Sequence, residues 1–200
     1  MNPGDVSRET KERLNTYAKL VEKWTPRINL VSRASLPHLQ TRHFTDSAQL
    51  HAIAPHPVGH WADLGSGGGF PGLVIAILAQ ETGSPDRVTL VESDARKSAF
   101  LRTVIRETGV NATVRTERIE ATAPLAADVL SARALARLAT LLGHAARHLA
   151  PGGTALFPKG ASWQEEISEA LTKWQFTSRV DKSRTDPDAV ILHVTGVSRA

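Results

Sequence analysis

A glycine-rich segment lies where an apolar run ends and a helical pattern begins. After the run Trp61–Leu64, glycines stand at positions 65, 67, 68, 69 and 72. Glycine lets the backbone turn tightly and approach a ligand closely, and the helix that follows offers unpaired amide groups. Strand, loop, helix and second strand follow one another in order, so a ligand-binding loop is favoured over a plain tight turn.

The spacing of these glycines separates two classes of ligand. A dinucleotide loop needs its third glycine five residues after the first, and that position is Phe70. The glycines at 65, 67 and 69, with Asp63 just ahead, instead resemble the first motif of Rossmann-like methyltransferases. We therefore expect S-adenosylmethionine as the cofactor, with Asp63, Gly65, Gly67 and Gly69 in its site and Asp63 attracting its ammonium group.

Glu92 provides a second test of the same interpretation. It lies 27 residues after Gly65, at the end of the next apolar run. A carboxylate there can accept hydrogen bonds from both ribose hydroxyls of a nucleoside. Because an NAD-dependent enzyme would share this feature, Glu92 supports the fold without choosing between the ligands.

The elements that must position these residues predict an α/β fold. From His60 onward, short apolar runs alternate with helical patterns, as in a parallel sheet covered by helices on both faces. Strands are predicted at 61–64, 88–92, 112–115, 128–132, 154–157, 176–180 and 190–194. Helices are predicted at about 94–108, 135–149 and 165–173. We expect a Rossmann-like class I methyltransferase domain over residues 59–200, with a mostly parallel seven-stranded sheet.

Residues 1–58 are predicted to form an N-terminal helical extension. An amphipathic helix is expected from Asp5 to Trp24, stopped by Pro26, and a shorter one over Thr41–Ile53. The stretch 54–59, rich in proline, histidine and glycine, is interpreted as the linker to the main domain.

Composition limits the partners and the chemistry. Lys and Arg number 24 against 20 Asp and Glu, for a net charge of +4, which favours anionic partners. Between Lys23 and Thr45 there is no acidic residue, while Arg27, Arg33 and Arg42 lie there. An RNA-facing surface and a solvated loop both fit this segment. No apolar stretch is long enough to span a membrane and no secretory signal is apparent, so we expect a cytoplasmic protein.

Two features that are absent from the sequence limit the possible methyl acceptors. Enzymes that methylate exocyclic amines commonly carry an Asn/Asp-Pro-Pro-aromatic motif after the fourth strand, where this chain has Ser131–Ala134. There is no cysteine, which excludes a thiolate nucleophile and a thiolate zinc site, and no metal site is predicted. A purine N7 and a hydroxyl remain open as acceptors.

Five segments in register now amount to a family resemblance. They are Lys23-Trp24 with 29–32, Arg42–Ser47, the 65–72 loop, Ser131–Ala134 and Lys159-Gly160. Together they resemble the bacterial 16S ribosomal RNA guanine-N7 methyltransferases, the glucose-inhibited division protein B family. The resemblance implies methyl transfer from S-adenosylmethionine to N7 of one guanine in 16S rRNA, presented by the small ribosomal subunit or an assembly form of it. We expect a monomer.

The resemblance also implies a set of site residues. Cofactor contacts are carried over to Gly65, Phe70, Ile119, Glu120 and Arg133. Guanine N7 is unprotonated at neutral pH, so no general base is needed and Arg133 is expected to position the reactants. A role near the target base is implied for His43, and a contact with RNA phosphate for Lys159.

The sequence also predicts one ion pair, and it leaves three alternative functions open. Arg42 and Asp46 are four residues apart, so on an α-helix they would form an ion pair. The rival functions are an NAD-dependent oxidoreductase, a non-catalytic RNA-binding module and a methyltransferase acting on another substrate.

Overall fold

A computed structural model describes residues 6–200, and its centre is one sheet of seven strands. The strands are β1 (His60–Leu64), β2 (Arg87–Val91), β3 (Ala112–Arg115), β4 (Ala127–Ser131), β5 (Leu149–Lys159), β6 (Trp174–Lys182) and β7 (Val190–Arg199). Their order is β3-β2-β1-β4-β5-β7-β6. β7 runs antiparallel to both of its neighbours, and the pairs among β1 to β5 are parallel. The predicted seven-stranded, mostly parallel sheet is confirmed.

Helices cover both faces of this sheet. The α-helices are α1 (Arg8–Ile28), α2 (Asp46–Ile53), α3 (Gly72–Thr82), α4 (Ala95–Thr108), α5 (Leu138–His148) and α6 (Trp163–Ala170). Alternation along the strands creates two apolar cores: in β4, Val129 packs with α1 to α4 on one face, and Leu130 packs with α5 and α6 on the other. Among residues 6–200, none of the helices combines the length and apolar character needed to cross a bilayer.

The strand order places two loops side by side. β1 pairs with β2 on one side and with β4 on the other, with Asp63 opposite Ser131 at their carboxyl ends. Ligands of open α/β sheets bind at such a switch point, where consecutive connections leave in opposite directions. The glycine loop after β1 and the segment 132–137 after β4 therefore face one another across a crevice.

The N-terminal extension packs against the α3 and α4 face. Tyr17 and Val21 of α1 are fully buried and share one apolar core with Trp61 of β1. The extension is thus separated from the sheet in sequence by residues 54–59 but has no core of its own.

The first helix runs past Pro26, so the prediction that this proline stops it is wrong. α1 ends at Ile28, and Asn29 closes it in the left-handed conformation by donating its amide to the Thr25 carbonyl across 2.9 Å. Proline removes one amide donor and one helical hydrogen bond, and the buried face of α1 continues to Thr25 despite this loss. The predicted start, Asp5, lies outside the described residues.

The helix predicted over residues 41–53 has an irregular start. A 3₁₀-helix spans Arg33–His38 and a π-helix spans Gln40–Thr45, and α2 continues directly from the latter. The predicted helix over Thr41–Ile53 is therefore continuous but begins as a π-helix. Such wide turns are rare and frequently occur at functional sites.

The fourth predicted helix and the fifth predicted strand differ from the structure at their starts. α5 begins at Leu138 rather than Leu135, because the backbone of Arg137 is extended, with a φ of −67° and a ψ of 155°, outside the α-helical region. β5 begins at Leu149 rather than Thr154, since the chain passes directly from α5 into the strand.

Candidate active site

The glycine loop has backbone that other residues rarely adopt. Gly65, Gly67 and Gly69 have φ values of 65°, 54° and 91°, in the left-handed region that favours glycine. A side chain at Gly69 would also collide with neighbours, since an added Cβ would lie 2.4 Å from Leu73 Cδ1 and 2.7 Å from the Tyr17 hydroxyl. Gly69 borders neither of the two cavities at this site, and its backbone shapes the loop that borders them.

Asp63 lies beneath this loop rather than on a cavity wall. Its side chain accepts a hydrogen bond from Ser131 Oγ at 2.7 Å and one from the Gly72 amide at 3.3 Å, and the residue is 1% exposed. Burial raises the pKa of this carboxyl to about 6, and the hydrogen bonds from Ser131 and Ser66 oppose the rise. Its oxygens hold the loop against β4 in this structure, and the attraction of the cofactor ammonium by Asp63 stays a prediction.

A cavity of 420 Å³ opens beside the loop. It is lined by Gly65, Gly67, Glu92, Ile119 and Glu120, which come from three different loops. The Glu92 carboxylate accepts one backbone amide on each oxygen, from Gly67 and from Asp94, each at 2.8 Å. A carboxylate oxygen has two lone pairs, so each retains capacity for a ligand hydroxyl.

A larger cavity of 1320 Å³ adjoins the first one. Both are lined by Gly65, Lys97, Arg133 and Leu135, so these residues stand at the junction. The Leu135 side chain covers Gly65, because a Cβ on that glycine would lie 2.6 Å from Leu135 Cδ1. The structure thus connects a cavity beside the glycine loop with a second, wider one.

Arg133 is held at this junction from four sides. Its Nη2 donates to His43 Nδ1 at 2.8 Å, and its Nη1 lies 3.4 Å from the Arg42 carbonyl and 3.6 Å from Asp46 Oδ2. The guanidinium carbon is 5.3 Å from the centre of the Phe70 ring, within cation–π distance. A planar fork with several donors can make these contacts together, which a lysine ammonium cannot.

The Phe70 ring packs against the guanidinium of Arg133. Its ring stacks on Tyr17 at 5.1 Å between centroids and packs against Phe44 at 5.5 Å. It borders the larger cavity, not the smaller one. The structure therefore places its side chain against the arginine, and the cofactor contact expected for Phe70 stays a prediction.

His43 is neutral over the physiological range. Desolvation by burial, followed by repulsion from Arg133 and Arg42, lowers the pKa of its imidazole to about 4. Because Nδ1 accepts from Arg133, the proton of the neutral ring is on Nε2. His43 can accept a hydrogen bond from the arginine but is poorly suited to act as a base at neutral pH.

Asp46 pairs with Arg133 and not with Arg42, which corrects the ion pair expected from sequence. Arg42 lies in the π-helix, whose hydrogen bonds join residues five apart, so position 46 does not stack over position 42 as it would in an α-helix. The nearest cation to Asp46 is instead Arg133, which lies on the far side of the crevice in the segment after β4.

Lys159 is committed to a contact within the protein, which corrects its expected role on RNA phosphate. Its ammonium donates to Glu166 Oε2 at 2.7 Å and to the Ala136 carbonyl at 2.9 Å, and the residue is 9% exposed. Glu166 also accepts the amide of Leu138 at 2.7 Å. This pair anchors the segment 132–137 that carries Arg133.

Two residues that contact the site, Tyr17 and Thr185, were not predicted from the sequence. Tyr17 donates to the Gly68 carbonyl from a fully buried position in α1, which reads as an ordinary apolar helix face. Thr185, in the loop after β6, donates to Asp46 Oδ1 at 3.0 Å across 139 positions of sequence. Neither contact has a local pattern that sequence reasoning could recognise.

Solved structures with similar folds are methyltransferases and related proteins. A mutant of MtNAS in complex with S-adenosylmethionine aligns with a TM-score of 0.61 and 19% identity, covering 92% of this chain and 74% of that one. A TehB-like SAM-dependent methyltransferase from Corynebacterium glutamicum aligns with a TM-score of 0.59 and 14% identity, covering 91% and 98%. The chain has the Rossmann-like class I methyltransferase fold.

Sequence relatives are much closer. Ribosomal RNA small subunit methyltransferase G of Ruegeria pomeroyi is 56% identical over 198 residues, covering 99% of this chain and 97% of the relative. The protein of the same name from Paracoccus denitrificans is 49% identical over 196 residues, covering 98% and 99%. A family model described as rRNA small subunit methyltransferase G matches residues 10–193. The chain belongs to the rRNA small subunit methyltransferase G family.

Proposed function

We propose that this protein transfers the methyl group of S-adenosylmethionine to N7 of one guanine in 16S ribosomal RNA. The observation that carries the proposal is the junction at Arg133, where a cavity beside the glycine loop opens into a wider one. One cavity would hold the cofactor and the other the target base. Family membership favours this function over the NAD-dependent oxidoreductase.

The smaller cavity fits the cofactor. The bare backbone of Gly65 and Gly67 permits close approach, and the Glu92 oxygens retain lone pairs for the two ribose hydroxyls. Ile119 offers an apolar side chain for the adenine, and Glu120 stands beside it at the cavity wall. When bound, S-adenosylmethionine supplies an electrophilic methyl group on a sulfonium.

The protein's part in catalysis is to orient and to exclude water. Guanine N7 has a free lone pair, so no residue has to remove a proton before attack. His43 accepts a hydrogen bond from Arg133 and Asp46 pairs with it, so both neighbours hold the arginine in place. A fixed guanidinium can bind guanine O6 or a phosphate and align the base, and alignment contributes a large share of the barrier reduction in such transfers.

The RNA is proposed to approach over the N-terminal extension, residues 1–58. Arg33, His38 and Arg42 are exposed there, and the latter two line the larger cavity. Positive charge on this rim would contact phosphates and orient the substrate. We propose that the substrate is the small ribosomal subunit or an assembly form of it, and that the enzyme acts as a monomer.

Mapping of modified bases tests the proposal. 16S rRNA from cells with and without this protein would be reduced with borohydride and cleaved with aniline, which breaks the chain at N7-methylguanine. We expect one cleavage site that is present only when the protein is present and that returns with a complementing copy. Identical cleavage patterns in the two strains would reject the proposed function.

A further inference from the structure

The loop between β6 and β7 reaches across to the N-terminal extension. Thr185 Oγ1 donates to Asp46 Oδ1 at 3.0 Å, and the Arg184 backbone amide donates to Gln49 Oε1 at 2.6 Å. Gln49 in turn donates from Nε2 to the same Asp46 oxygen at 3.3 Å. Two donors from different parts of the chain therefore converge on one carboxylate oxygen.

The two oxygens of Asp46 have separate partners. Oδ1 accepts from Thr185 and Gln49, and Oδ2 faces Nη1 of Arg133 at 3.6 Å. The donors on Oδ1 fix the plane of the carboxylate, and that plane determines where Oδ2 presents its charge to the guanidinium. The side chains of Asp46 and Arg133 are each only 20% exposed, so a carboxylate that turned away would leave the arginine without its counter-charge in a largely buried place.

We propose that Thr185 and Gln49 are positioning residues that act through Asp46 to set the place of Arg133. The β6–β7 loop then couples the wall of the RNA cavity to the arginine at the junction, since Thr185, Asp186 and Pro187 line that cavity. The inference rests on the proposed function and extends it. It assigns Thr185 a larger effect on methyl transfer to RNA than on cofactor binding, because Thr185 and Asp46 do not line the smaller cavity and reach it only through Arg133.

A purely structural role for Thr185 is distinguishable from this one. The loop has a second anchor on α2 in the bond from the Arg184 amide to Gln49, which does not involve the threonine hydroxyl. Removal of that hydroxyl should therefore leave the loop attached while Asp46 Oδ1 keeps only the weaker donor, Gln49. Thr185→Val does this with little change in volume, and Thr185→Ser restores the donor.

The first experiment compares these variants in methyl transfer to small subunits that lack the modification. For Thr185→Val we expect kcat to fall roughly tenfold, as for loss of a hydrogen bond to a charged group. The affinity for S-adenosylhomocysteine should fall much less than kcat, the melting temperature should stay at the wild-type value, and Thr185→Ser should recover most of kcat. Thr177→Val is the matched control, because Thr177 is an exposed threonine of β6 in the same hairpin, and it should behave as wild type.

A double-mutant cycle tests whether Asp46 transmits the effect. If Thr185 acts through Asp46, Thr185→Val added to Asp46→Asn should lower kcat by less than about twofold further. A full additional tenfold loss would overturn the route through Asp46, and wild-type kcat in Thr185→Val would overturn the inference altogether. Absence of methyl transfer by the wild-type enzyme would instead reject the proposed function, so the two failures differ.

Discussion

Arg133 donates a hydrogen bond to Nδ1 of His43 across 2.8 Å, although the two residues are 90 positions apart in the sequence. One follows the fourth strand of the sheet and the other lies in the π-helix of the N-terminal extension. This bond joins the extension to the crevice at the switch point. A segment that in sequence looks like an appendage therefore completes the candidate active site.

Arg133→Lys is predicted to lower kcat for RNA methylation roughly a hundredfold, the scale of a misplacement of about 1 Å at a reacting centre. Lysine keeps the charge but cannot reach His43, Asp46 and the Phe70 face together. Steady-state kinetics with small subunits measure the effect. Arg179→Lys, which alters an exposed pair with Asp181, is the control and should retain wild-type kinetics. Full activity in Arg133→Lys would show that the fork geometry is not needed.

His43 is predicted to titrate with a pKa of about 4 rather than near 6.5. Its folded-state pKa lies below the unfolded one, so the unfolded chain binds more protons between these values. Stability linked to His43 is therefore complete above pH 6.5 and is lost as the pH falls toward 4. Imidazole nitrogen NMR, with His43→Gln to identify the signal, measures the pKa. A value near 6.5 would contradict the desolvated, arginine-bound ring.

Glu92→Gln is predicted to weaken binding of S-adenosylhomocysteine by about 1.5–3 kcal/mol, roughly ten- to hundredfold. The amide cannot accept on both atoms, so it loses one bond to Gly67 or Asp94 as well as the charge that would receive ribose hydroxyls. Calorimetric titration reports the affinity. Glu107→Gln, on the exposed surface beside Arg106, is the matched change and should bind as wild type. An unaltered affinity for Glu92→Gln would place the ligand elsewhere.

Lys159→Met is predicted to lower the free energy of unfolding by about 2 kcal/mol, because Glu166 stays buried without its cation. The dependence of RNA affinity on salt should not change. Removal of a phosphate contact would reduce the slope of log affinity against log salt by about 1, and we expect that result for Arg42→Gln at the cavity rim. A reduced slope for Lys159→Met would restore the phosphate role expected from sequence.

The fold was predictable because its signals are local. Strand, glycine loop and helix follow one another, and the alternation of apolar runs specifies a mostly parallel sheet. The ends of helices and strands were harder to predict. At Pro26, packing of the α1 face outweighs the lost hydrogen bond, so the helix continues. The start of α5 is later than expected because Arg137 has an extended backbone, a conformation that the residue type does not predict.

The types of residue in the site could be predicted from the sequence, but the contacts that each of them makes could not. Gly65, Glu92 and Arg133 all line the smaller cavity, in keeping with their positions after strands of a parallel sheet. Burial accounts for the other differences. Asp63 and Lys159 carry the charges expected of ligand contacts, yet both are buried and bonded to other residues of the same chain. Contacts between distant segments, such as Thr185 with Asp46, depend on tertiary packing and leave no periodic trace.

The most direct test of the account is methyl transfer by the purified protein. S-adenosylmethionine with a tritiated methyl group would be incubated with small subunits from cells that lack the protein, and the labelled nucleoside would be identified and located. We predict about one methyl per subunit, on N7 of a single guanine of 16S rRNA, and a roughly hundredfold slower transfer by Arg133→Lys. Label on an exocyclic amine, on a ribose hydroxyl or on no RNA at all would contradict the account.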